Sequence, residues 1–374
     1  MAFPKLKIGD LVAEIPIIQG GMGIGVSLSR LAASVAGEGA VGVIATAGLG
    51  VLSTDHSESY LEASIDILCE EIRKAKKATK GIIGVNIMVA LTNFTDMVET
   101  SIAEGIDLIL SGAGLPLDLP KYCTKGVKTK LVPIISSAKA ARVICKRWWQ
   151  HYKRLPDAFV VEGPMAGGHL GFTSKQLEDP EYALEKIIPE VVEAVGSFEK
   201  EHGVKIPVIA AGGIYTGEDI YKFLKLGAAG VQMGTRFVAT EECDADDRFK
   251  QAYVNAKSED LVIIESPVGM PGRAIWNDFL QRVKEGLKNP VHCPFHCITS
   301  CNCTDSPYCI ALALKNAVRG KLNAGFAFAG KNAWRVDCIT TVKKLIQSLR
   351  EEYEKAVAER IAAAEKAAAE FLRF

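Results

Sequence analysis

One of the six histidines sits in an unusual setting. His169 lies in Glu162-Gly163-Pro164-Met165-Ala166-Gly167-Gly168-His169-Leu170-Gly171, where glycines place its imidazole on a loop instead of an apolar helical face. Imidazole titrates near neutrality, so it suits proton transfer or the holding of a polar substrate atom. Gly212-Gly213 and Gly234-Thr235 each follow a short apolar run and offer backbone N–H groups to an anion such as phosphate. Cys293, Cys297, Cys301, Cys303 and Cys309, interleaved with His292 and His296, are dense enough in thiols to hold an iron–sulfur cluster or zinc. Their spacing contains no C-x2-C pair, so it matches neither a zinc ribbon nor the usual ferredoxin run.

Chemistry at such positions requires a scaffold that brings them to one place. Short Val/Ile-rich runs predict strands at Pro16–Gln19, Val41–Ala45, Ile82–Asn86, Leu108–Ser111, Leu131–Ile135, Ala158–Glu162, Val208–Ala211 and Gly230–Met233. Most are apolar throughout, as parallel strands covered on both faces must be. Helical periodicity fills the intervals: Ser27–Ala36, Ser57–Lys77, Phe94–Glu104, Ala138–Gln150, Tyr182–Glu201, Gly217–Leu226 and Asp244–Ala256, with a less regular connection over 117–125. Eight strands alternating with helices over this length predict a (β/α)8 barrel, an α/β TIM barrel, whose chemistry sits where strands end and βα loops begin. The first glycine loop, 20–25, does not satisfy G-x-G-x-x-G, and no P-loop or nucleophile-elbow motif occurs.

In such barrels the loops after strands seven and eight commonly hold phosphate, so Gly212-Gly213 and Gly234-Thr235 point to a phosphorylated cofactor such as flavin mononucleotide (FMN). The chain has 374 residues, with 44 Lys+Arg balancing 44 Asp+Glu, and this balance argues for a small-molecule ligand over nucleic acid or an anionic membrane. No signal peptide or membrane span is expected, and the reading is cytoplasmic. Trp148-Trp149 is expected to cover the barrel flank, while His56, His151 and His202 are expected in solvent. The acidic run 241–247 is read as a helix cap. Residues 1–265 are expected to form the barrel. Residues 266–374 form a helical, Cys-rich C-terminal extension, with an amphipathic helix over 274–287 and a solvated final helix from Thr340 that packs on a partner subunit of a homodimer.

The motifs Pro16-Ile17-Ile18-Gln19-Gly20-Gly21-Met22-Gly23, Gly84-Val85-Asn86, 162–171, Ile209-Ala210-Ala211-Gly212-Gly213-Ile214 and Gln232-Met233-Gly234-Thr235-Arg236-Phe237 resemble those of the nitronate monooxygenase (2-nitropropane dioxygenase-like) family. The pattern is also similar to that of flavin-dependent enoyl-ACP reductases. The resemblance implies an FMN-dependent oxidoreductase in which Met22, Gly23, Asn86, Gly213, Gln232, Gly234 and Thr235 contact FMN, with Lys139 and Glu162 as further carry-overs. It implies oxidation of alkyl nitronates, with His169 as base or substrate-orienting residue. Two alternatives stay open: an NAD(P)H-dependent reductase of an enoyl thioester or quinone, and a non-catalytic flavin- or metal-binding regulator. A cluster on the cysteines favours the reductase, because an oxygen-sensitive centre fits poorly with O2 consumption.

Overall fold

The computed structural model describes residues 2–54, 57, 59–290 and 292–371, so His56 lies outside the described residues. Eight parallel strands form one sheet: β1 (Ile17–Gln19), β2 (Gly42–Ala45), β3 (Ile83–Met88), β4 (Leu108–Gly112), β5 (Lys130–Ile135), β6 (Phe159–Glu162), β7 (Val208–Ala211) and β8 (Gly230–Met233). Neighbours in space are neighbours in sequence, and β8 returns to pair with β1. A parallel bridge between Ile18 and Val41 closes the ring, with the Val41 N–H donating to Ile17 O (3.0 Å) and the Gln19 N–H to Val41 O (2.9 Å). This is the (β/α)8 barrel expected from the strand count.

The period-two alternation of each strand divides the core in two. Ile18, Val43, Leu108, Leu110, Val132, Val160 and Ile209 fill the barrel interior. Ile17, Ile44, Val85, Ile109, Leu131, Phe159 and Ala210 face outward into the helical layer. The interior cluster also takes in Leu6, Ile8 and Ala13 from an antiparallel hairpin, Leu6–Ile8 with Leu11–Ala13. That hairpin plugs the N-terminal end of the barrel, which leaves the C-terminal end open for ligands.

Local signals set the helix ends. Ser59 and Glu62 form a capping box for Tyr60–Ala78, and Thr216 with Asp219 does the same for Gly217–Lys225. The acidic run caps three helices. The Val342 N–H donates to Glu242 (2.9 Å), the Leu28 and Leu31 N–H groups donate to Asp244 (2.8 and 3.2 Å), and the Arg248 N–H donates to Asp246 (2.9 Å). Trp148 is fully buried on the barrel flank, its indole N–H donating to Pro116 O at 3.0 Å. His202, expected in solvent, instead stacks on Trp149 with ring centroids 4.0 Å apart.

The C-terminal region departs from expectation in two places. Ala274 and Ile275 belong to a strand, Pro271–Ile275, which pairs with Leu261–Glu265 on one side and Gly168–His169 on the other. The helix there is shorter, Asp278–Lys284, because Asn277 caps it only after the strand has ended. The final helix, Val342–Phe371, is not solvated along its length. Leu345, Ile346, Leu349 and Tyr353 are buried, and Leu349 O lies only 2.2 Å from where a Cβ on Gly217 would stand, so this half packs on the chain's own barrel. Among the described residues no helix is long and apolar enough to cross a membrane.

Candidate active site

A cavity of about 270 Å³ opens at the C-terminal end of the barrel, bounded by the loops that follow β1, β3, β6, β7 and β8. Met22, Gly23, Asn86, Glu162, His169, Gly212, Gly213, Gln232, Gly234 and Thr235 all line it. Lys139 does not. It is exposed on the first turn of the helix Ala138–Tyr152 and is not among the cavity residues.

The first glycine loop curls back on itself through Ser27. The Met22 N–H donates to Ser27 Oγ (2.8 Å) and the Ser27 N–H to Met22 O (3.0 Å). A Cβ on Gly21 would lie 2.3 Å from the Asn86 Cβ, so only glycine lets this loop reach the end of β3. Gly213 is in the left-handed region at φ +83°, where a Cβ would also lie 2.8 Å from the Met165 Cβ. Because β7 and β8 are paired, the Gly212-Gly213 and Gly234-Thr235 turns stand side by side. Gln232 at the end of β8 has a buried side-chain oxygen with no hydrogen-bond partner. Such an orphaned acceptor costs about 1–3 kcal/mol and calls for a donor from a ligand.

His169 is held from two sides. Its Nε2 lies 2.7 Å from Ser266 Oγ, and its ring meets Phe328 edge-on with centroids 5.0 Å apart. The Val268 N–H donates to the same Ser266 oxygen at 3.3 Å, which fixes the hydroxyl. Burial pushes the imidazole down to about 4 and the Glu162 carboxyl, on the same cavity wall, up to about 7. The ring is therefore neutral at physiological pH, whereas the carboxyl is poised to give or take a proton. Neither Lys nor Arg occurs among the residues that line the cavity.

Part of the wall comes from the C-terminal region, which the strand-end argument did not reach. Phe328, Ala329, Gly330 and Asn332 line the cavity. Asn332 Nδ2 donates to Gly213 O (2.6 Å), and the Gly330 N–H donates to Thr235 Oγ1 (3.0 Å). The buried Arg273 guanidinium donates to Pro164 O at 2.8 Å and to Ala166 O at 2.5 Å, which ties the His169 loop to this region. The sequence cue was Gly325-Phe326-Ala327-Phe328-Ala329-Gly330, a run of small and aromatic residues that lets backbone approach backbone closely.

The cysteines are free thiols. Burial, together with the neighbouring Cys309, Cys293 and Cys301, pushes the Cys297 thiol up to about 12. Among the described residues no three His, Cys, Asp or Glu side chains are grouped so as to hold a metal ion. Of the two groups read from ligand density, an iron–sulfur cluster or zinc, the single-ion site that zinc needs is thus not formed by these side chains as they stand.

The nitronate monooxygenase family profile matches residues 5–352. The chain belongs to the nitronate monooxygenase family. The family member is 32% identical over 275 residues to a 5-hydroxy-7a-methyl-1-oxo-octahydro-1H-indene-4-carboxyl-CoA dehydrogenase of Mycobacterium tuberculosis, covering 74% of this chain and 67% of that protein. It is 27% identical over 300 residues to a probable nitronate monooxygenase of Staphylococcus aureus, covering 74% and 79% of the two chains. FabK from Thermotoga maritima superposes with a TM-score of 0.72 at 28% identity over 94% of this chain and 96% of FabK. Nitroalkane oxidase from Streptomyces ansochromogenes shares the fold, with a TM-score of 0.69 at 20% identity over 93% and 98%. The chain is an FMN-dependent oxidoreductase. The donor-hungry Gln232 oxygen and the glycine-walled cavity fit such a cofactor.

Proposed function

We propose that this nitronate monooxygenase family member is an FMN-dependent reductase whose acceptor enters the cavity at a neutral unsaturated carbonyl, such as that of an enoyl thioester. The observation that carries this reading is the electrostatic character of the wall: no fixed cation, a neutral imidazole and one carboxyl near 7. An anionic nitronate would find no countercharge there and would be repelled by the ionised carboxyl. The relationship to a carboxyl-CoA dehydrogenase supports a thioester as well.

FMN, when bound, supplies hydride and single-electron transfer at its ring system. Gly212, Gly213, Gly234 and Thr235 would hold its phosphate through backbone N–H groups, while Met22, Gly23, Asn86 and Gln232 would hold the ring. His169, fixed by Ser266 and Phe328, orients the acceptor by hydrogen bonding; an imidazole held near 4 is too weak a base to be the principal proton acceptor. Glu162 holds the exchangeable proton on the same cavity wall. The second reading is nitronate oxidation. It is favoured by the S. aureus relatives and by an imidazole placed to hydrogen-bond a nitro oxygen.

Anaerobic stopped-flow absorbance of the FMN-loaded protein distinguishes the two. Bleaching by NADH or NADPH, followed by recovery on adding crotonyl-CoA, is the expected result. Bleaching by ethyl nitronate alone would overturn the reductase in favour of nitronate oxidation.

A further inference from the structure

The cysteine segment is a chemically reactive motif of the sequence that the flavin site does not use. It is anchored to the barrel by the loop that follows β3. Ile298 bridges Leu91, the Thr92 N–H donates to Cys297 O (3.3 Å), and the Thr299 N–H donates to Ala90 O (2.9 Å). Cys297 and Cys309 pack in a small apolar cluster with Ile24 and Leu314, two residues that also line the flavin cavity. Cys301 packs against the main core. His296, at φ +45°, turns the chain so that its N–H meets Cys293 Sγ at 3.4 Å.

We propose that Cys293, Cys297, Cys301 and Cys309 ligate a [4Fe–4S] cluster beside the flavin cavity, with Cys303 outside the ligand set. Cys297 and Cys309 pack against one apolar cluster, and a charge on Cys297 would be felt by Cys309, Cys293 and Cys301, so these four sulfurs share one neighbourhood. They are not gathered around a point, as a single ion requires. With Zn–S bonds of ~2.3 Å, four zinc ligands must crowd within ~4 Å of one another. In a four-iron cubane each thiolate binds its own iron, so the sulfurs stand apart at the corners of a larger body. The His296 N–H directed at Cys293 Sγ suits the anionic form that iron requires. Cys303 stands in a different local setting. It sits in the turn made by Asn302, Thr304 and Asp305, where Asn302 Oδ1 accepts from Thr304 and Asn302 Nδ2 donates to Asp305.

The test is iron and acid-labile sulfide analysis of the full chain, purified without oxygen and reconstituted with ferrous iron and sulfide. Electron paramagnetic resonance after dithionite reduction accompanies it. About four iron and four sulfide per chain are expected. Cys297→Ser and Cys309→Ser should lose most of both, whereas Cys303→Ser should keep the wild-type content. Wild-type protein that takes up only zinc, or no metal, would overturn the cluster without reference to any variant. Loss of iron in Cys303→Ser equal to that in Cys309→Ser would overturn the ligand set. FMN content, read in the same samples by absorbance, reports separately on the flavin site.

Discussion

Replacing Glu162 by Gln should remove a pH dependence of stability that the cavity builds into the protein. Burial raises this carboxyl from the ordinary value of 4.5 to about 7 in the folded chain. The folded state therefore keeps a proton that the unfolded chain releases above pH 4.5, and folding is progressively disfavoured between pH 4.5 and about 7. At ~1.4 kcal/mol per pH unit, that gap amounts to about 3 kcal/mol once the pH exceeds both values. The glutamine amide carries no charge at any pH, so the variant escapes this loss. Urea unfolding of flavin-free wild type and Glu162→Gln at several pH values from about 4.5 to 8 measures the difference directly. The wild type should fall relative to the variant by about 3 kcal/mol across that range. His169, pushed in the opposite sense, is present in both proteins and drops out of the comparison. Parallel stability curves for the two proteins would refute the claim that this carboxyl is held protonated by its surroundings.

Three further outcomes follow from the same cavity. Gln232→Met should stabilise the flavin-free protein by about 1–2 kcal/mol, by removing a buried acceptor without a partner, yet weaken FMN binding at least ~10-fold; urea unfolding and flavin titration read the two effects. Gly213→Ala should cost about 1–3 kcal/mol and lower FMN retention, since a Cβ there meets Met165 at a positive φ; absorbance after gel filtration shows the loss. Ser266→Ala should leave FMN bound but lower kcat/KM by ~10-fold, about one hydrogen bond's worth, because the His169 ring loses its fixed partner; steady-state kinetics checks it.

The strands were legible because each is a short β-branched run closed by glycine or a polar residue; β7 and β8 occupy the residues expected for them. The strand ends then located most of the cavity, since barrel geometry places every one of them on the same rim. What stayed hidden depended on pairing between distant segments. Leu261-Val262-Ile263-Ile264 had strand character, with Pro267 and Gly269 as a turn, but the helix-like spacing of 274–287 masked its hairpin partner. Pairing of Gly272 with His169 settles that conflict in favour of strand, and no local signal records it. Ser266 was missed as the partner of His169 for the same reason, because 97 residues separate them. Lys139 illustrates the converse: it follows the correct strand, but the helix that starts at Ala138 turns it outward.

The stretch between Glu242 and Asp246 serves three helix starts that lie far apart in the chain. Sliding it by one residue in either direction would put Cys243 or Ala245 in the place of Asp244 and of one of its two partners, so insertions and deletions that diversify other loops have no neutral foothold here. Within a lineage of changing substrates, this short acidic passage should hold its length while the rim around it is rewritten.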